Sequence, residues 1–137
     1  MKIFNLLLPG QPIPKARARK GLHGFYNSQA AEMRNAQLEI KRHLPEKFEL
    51  IPAGVPVTVN LVFFFTPAKS QLTKNFIELI QNENYPFLKK GDIDNLEKFV
   101  LDVLSGIIFH DDNQVYASSL YKFYTPDNPR TEIEVVY

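Results

Sequence analysis

"GDIDNLEKFVLDVLSGIIFHDDNQV", residues 91–115, places acids on both sides of an apolar run, and its reading decides the fold. Leu96, Phe99, Val100, Val103, Leu104 and Ile107 recur at helical spacing and make one apolar face. Asp94 suits the N-cap, with Glu97 as its capping-box partner, and Gly106 suits the C-terminal cap. Capping uses one aspartate, and the helix dipole favours acids in that first turn. Neither accounts for Asp92 as well, nor for the pair Asp111-Asp112. Six of the chain's fifteen acids lie here, against one lysine.

An EF-hand loop fails as an explanation. Glu97 stands where such a loop requires glycine, and Val103 stands where it requires a bidentate glutamate. A convergent site fits the lengths better. A helix from Asn95 to Gly106 is about 18 Å long. Six extended residues, Ile107 to Asp112, run back about 20 Å, enough to return Asp112 to Asp92 and Asp94. Carboxylates without cysteine or clustered histidine favour Mg²⁺ or Mn²⁺ over zinc. Three carboxylates meeting without a cation would repel strongly. Asp94, Lys98 and Asp102 follow one another at one-turn intervals on the polar side. Lys98 is then either an i,i+4 ion pair worth a few tenths of a kcal/mol or an ammonium aimed at a phosphate.

The rest of the chain supplies a scaffold. "KIFNLLL" (2–8) reads as a first strand closed by Pro9-Gly10, and 11–27 as a basic loop or irregular edge. Ser28 can cap a helix carrying Ala31, Met33, Ala36, Leu38, Ile40 and Leu44, limited by Pro45. "VPVTVNLVFFFT" (55–66) is a buried strand, and 70–83 a short amphipathic helix or ordered excursion. Two further strands, 114–125 and 131–137, are joined by the turn "PDNP". The order predicts a single α/β (α+β) domain over 1–137, with a mixed sheet packed by helices.

Composition narrows the function. With no cysteine there is no disulfide framework and no cysteine-based zinc site. The apolar start is interrupted by Pro9 and Gly10 too early for a signal peptide, and no stretch approaches the ~20 residues of a membrane span. A cytoplasmic protein is expected. The net charge of +1 conceals +5 over residues 1–50 and −5 over 91–115. A basic third beside an acidic cluster suits a metal-dependent enzyme acting on a polyanion. In an extended segment Lys15, Arg17 and Arg19 share one edge, and with Lys20 they form a candidate phosphate-binding surface.

These residues carry a resemblance. Asp-x-Asp-Asn-Leu-x-Lys, a helix with a central Asp, then Asp-Asp-x-Gln-Val is similar to the signature of the RusA-type Holliday junction resolvases. "PGQPIPKARAR" (9–19) resembles the Pro-x-Pro-Lys-x-Arg opening of one branch of that family. The resemblance implies a RusA-like fold, a two-fold homodimer, and a Mg²⁺-dependent endodeoxyribonuclease that resolves four-way DNA junctions, with Mn²⁺ able to substitute. It implies Asp92, Asp94 and Asp112 as metal ligands and Lys98 as the catalytic lysine. Asp111 and Asp102 match without an assigned role, as outer ligands or supports. Asn95 and Gln114 would orient loops, and His110 reads as structural or surface. The rival readings are a non-catalytic branched-DNA-binding module and a nuclease with broader flap or fork choice.

Overall fold

The run Val57–Phe65 forms β4, whose alternate residues Val57, Val59, Leu61, Phe63 and Phe65 are buried. β-branched and aromatic side chains suit such a strand because they fill a pleated surface without losing much rotamer freedom. This computed structural model describes residues 1–16, 19–26, 29–89 and 91–137. Around β4 stand β1 (Ile3–Pro9), β5 (Val115–Tyr124) and β6 (Arg130–Val136), in the order β1-β6-β4-β5. β6 is antiparallel to both β1 and β4, whereas β4 and β5 are parallel, so the sheet is mixed as expected. The two strands linked by "PDNP" are not a hairpin, because β4 lies between them.

Three helices complete a small α+β domain: α1 (Ala30–Arg42), α2 (Lys74–Ile80) and α3 (Ile93–Leu104). Ile40 of α1, Ile80 of α2 and Leu96, Phe99, Val100, Leu101, Val103 and Leu104 of α3 join the inner sheet residues in one core. The expected apolar face of α3 is therefore present, with Leu101 added and Ile107 packed at its margin. Leu38 of α1 departs from expectation and is 53% exposed. Gln29 holds the N-cap position of α1, and Ser28, expected as that cap, lies outside the described residues. Thr73 caps α2 by accepting the Phe76 N–H at 3.2 Å.

The segment expected to be loop contains a small ribbon. β2 (Arg19–Gly21) pairs antiparallel with β3 (Gly24–Tyr26) across Leu22 and His23. On the outer side of the main sheet, Ser119 donates to Asn60, which donates to Glu134, a polar ladder across three strands. The outer edge of β5 is covered near its end, where Tyr85 and Phe87 exchange backbone hydrogen bonds with Tyr124 and Lys122. Among the described residues no helix is long and apolar enough to cross a membrane.

Candidate active site

The acid-bearing end of α3 is set by what precedes it. Gly91 has φ +103°, a backbone conformation that side chains disfavour, and its carbonyl accepts from the Lys122 ammonium at 3.0 Å. The chain then turns directly into α3, with Asp92 rather than Asp94 at the N-cap. The Asp92 carboxylate makes no capping hydrogen bond; only its carbonyl is used, accepting from the Leu96 N–H at 3.1 Å. Asp94 falls in the first turn, so the expected Asp94–Glu97 capping box does not form. Glu97 faces β5 instead, where the Ser118 hydroxyl lies 3.4 Å from its carboxylate oxygens. The helix begins two residues earlier than periodicity indicated, and this leaves both aspartates exposed at its start.

Lys98 lies 4.0 Å from Asp94, and both side chains are more than 60% exposed. A pair this long and this wet contributes a few tenths of a kcal/mol at most. Stability is a poor reason for Lys98 to be there.

The far end of α3 corrects the expected return path. Ser105 caps the helix and Gly106 follows at φ +82°. Ile107 and Ile108 both donate to the Leu104 carbonyl, and Gly106 donates to Phe109 at 2.7 Å. Ile108 and Phe109 are fully buried, and Ile51 donates to the Ile108 carbonyl. Residues 106–109 thus form a tight, buried turn rather than an extended run. Their hydrophobicity overrides extension, and the chain loses the reach that six extended residues would give.

Asp112 consequently lies beside the middle of α3. It opens the 3-10 turn Asp112–Gln114 and lines a polar groove of about 410 Å³ with Glu97, Leu101 and Tyr116. Asp111 accepts from the Asn113 N–H at 2.9 Å, which with a hydrogen bond from Asp112 holds its carboxyl below the usual range. The same shared bond to Asp111 raises Asp112, helped by partial burial and by the charges of Asp111 and Asp102. Gln114 fixes this loop, accepting from His110 and Asp111 and donating to the carbonyls of Pro52 and Val55. His110 is exposed.

Asp92 and Asp94 thus stand at the start of α3, and Asp112 with Asp111 and Asp102 about two turns along it. Among the described residues no group of three His, Asp or Glu is placed to hold a metal ion. Asp92, Asp94 and Asp112 are thus not grouped as a three-carboxylate centre in this arrangement.

The basic arm is placed more firmly. Lys15 forms an ion pair with Asp102 at 2.7 Å, and its backbone N–H donates to the Asn95 carbonyl. Lys20 is exposed on β2, while Arg17 and the Arg19 side chain lie outside what the structure describes. Sequence reading missed Lys122 and Gln29, and it gave Glu97 a capping role in place of its contact with Ser118. An inward lysine on a strand and a glutamine ahead of a helix carry no local signal.

Basic residues beside a helix whose start bears exposed, uncapped carboxylates suit an enzyme for a polyanionic substrate. The chain belongs to the endodeoxyribonuclease RusA family, which matches residues 9–136. It is therefore a DNA endonuclease of a family that acts on branched junctions. No curated protein matches it.

Proposed function

We propose that the chain resolves four-way DNA junctions by paired nicks, as a two-fold homodimer in the cytoplasm that depends on Mg²⁺, with Mn²⁺ as a substitute. One observation carries the catalytic part of this reading. The α3 start leaves Asp92 and Asp94 uncapped and exposed, with Lys98 beside Asp94. A junction has approximate two-fold symmetry and needs two matched nicks, which suits two copies of one site.

The available donors are hard oxygens, the kind Mg²⁺ takes. Since one chain does not gather Asp92, Asp94 and Asp112, we assign their meeting to the assembled, DNA-bound dimer. A divalent ion held there would supply charge neutralisation and an activated water. The residues of the chain have their own tasks. Lys98 would offset charge growing on a non-bridging phosphate oxygen. Gln114 would keep Asp111 and Asp112 at the mouth of the groove. Arg17, Arg19 and Lys20 would lie along the phosphate backbone, with salt-dependent affinity.

The test compares a four-way junction, a flap and a linear duplex with Mg²⁺ present. Paired nicks in the junction are expected, and Asp112→Asn should lower the rate at least about 100-fold while folding normally. Junction binding without nicks would indicate a non-catalytic binding module. Equal cutting of flaps would indicate broader branched-substrate choice. An Asp112→Asn variant cutting at the parental rate would remove Asp112 from the site.

A further inference from the structure

Residues Pro14–Ala16 are gripped from two sides. From α3, the Asn95 carbonyl accepts the Lys15 N–H at 2.8 Å, and Asp102 meets the Lys15 ammonium at 2.7 Å. From the start of α1, the buried Gln29 side chain donates to the Pro14 carbonyl at 2.7 Å and accepts from Ala16 N–H at 2.8 Å. Two helices thus hold three consecutive residues, immediately ahead of Arg17, Arg19 and Lys20.

The Lys15–Asp102 pair is 29% and 41% exposed, so its contribution to overall stability is small. Its geometric effect is larger. It ties one side chain of the arm to one helical position, and the buried Gln29 amide fixes the neighbouring backbone in both directions. A segment held this way has a defined register on the helix that begins with Asp92 and Asp94.

We propose that Asp102 is a positioning residue: through Lys15 it seats the basic arm on α3 and so sets the affinity for branched DNA. This rests on reading the chain as a junction nuclease. It withdraws Lys15 from the phosphate contacts and leaves Arg17, Arg19 and Lys20 to make them. It also gives Asp102 a task outside strand cleavage.

Junction affinity is measured without divalent cation, so that binding is read apart from cutting, and amide exchange is followed at Ala16. Asp102→Asn should weaken binding about tenfold and speed exchange at Ala16, and Gln29→Ala should do the same. Pairing Lys15→Glu with Asp102→Lys should recover most of the affinity that Lys15→Glu alone loses, because the ion pair is restored in reverse. A swap as weak as Lys15→Glu alone would show that Lys15 touches phosphate, and the proposal fails. It fails equally if Asp102→Asn binds like the parent but nicks a saturating junction 100-fold more slowly. A parent protein without junction affinity sinks the proposed function instead; unchanged Ala16 exchange in Asp102→Asn would then overturn the seating as well.

Discussion

The Lys122 ammonium reaches from the inner face of β5 to the carbonyl of Gly91, 3.0 Å away, one residue before Asp92. The same ammonium lies 5.9 Å from the centre of the Phe87 ring. A strand in the sheet thereby fixes the turn that delivers the first acids of α3. Lys122→Met keeps the stem but leaves that carbonyl without its charged donor. We expect a loss of about 1–2 kcal/mol, below the full value of a charged hydrogen bond because the site is half-buried. Urea unfolding with an unchanged m-value checks it.

Gly91→Ala probes the same turn from the backbone. The nearest atoms to a Cβ there belong to Leu96 at 3.7–3.8 Å, an ordinary contact, so crowding is not the difficulty. The φ of +103° is. The expected cost is about 1–2 kcal/mol, read in the same unfolding experiment. A neutral Gly91→Ala would mean that the turn relaxes to another conformation.

Lys98→Met separates stability from chemistry. With Asp94 4.0 Å away and both groups exposed, the melting temperature should move by less than about 2 °C. The single-turnover nicking rate should fall about 100-fold, the scale of losing one charge-stabilising group. Loss of less than about threefold would return Lys98 to a surface ion pair.

Glu83 gives a pH prediction with a definite sign. Burial pushes its carboxyl up, but hydrogen bonds from Arg130 and Thr125 and the Arg130 charge outweigh this and hold it below the ordinary 4.5. Arg130 lies 3.0 Å from Glu83 and stacks over Phe64 at 4.1 Å. A carboxyl lowered on folding stabilises the protein above its unfolded value, and that stabilisation fades as pH falls through the folded one. Glu83→Gln should therefore lower the melting temperature by about 1–3 °C at pH 7. The difference from the parent should shrink below pH 4.5, as thermal scans across pH 3–7 would show.

Much of this was legible in one stretch. The apolar face of α3 and the glycine after its end follow from spacing and residue type, and the loop-ordering Gln114 from the family resemblance. So do the mixed sheet and the buried β4. The misreadings share a cause: each depended on contacts far away in sequence. The N-cap shifted to Asp92 because Gly91, held by Lys122, sets the entry angle of the helix. Residues 106–109 folded tightly because Ile108 and Phe109 found the core beside Ile51. β6 took the place between β1 and β4, which no hydrophobic period reveals. Asp102 looked like one more acid in a line until Lys15, far earlier in the chain, was seen beside it.

The place of β6 sets the order in which the fold can be completed. β1 precedes the other strands of the sheet along the chain, yet its partner is β6, with Ile3 against Val136. As the chain leaves the ribosome, β1 must wait with an unmatched edge while helices, ribbon and β4 emerge. Contacts so distant in sequence slow folding, since loop closure precedes any reward from the pairing. A chain cut short before Arg130 has no means of joining β1 to β4. For a protein that cuts DNA, this arrangement withholds the finished sheet, and with it a properly mounted α3, until β6 has been made.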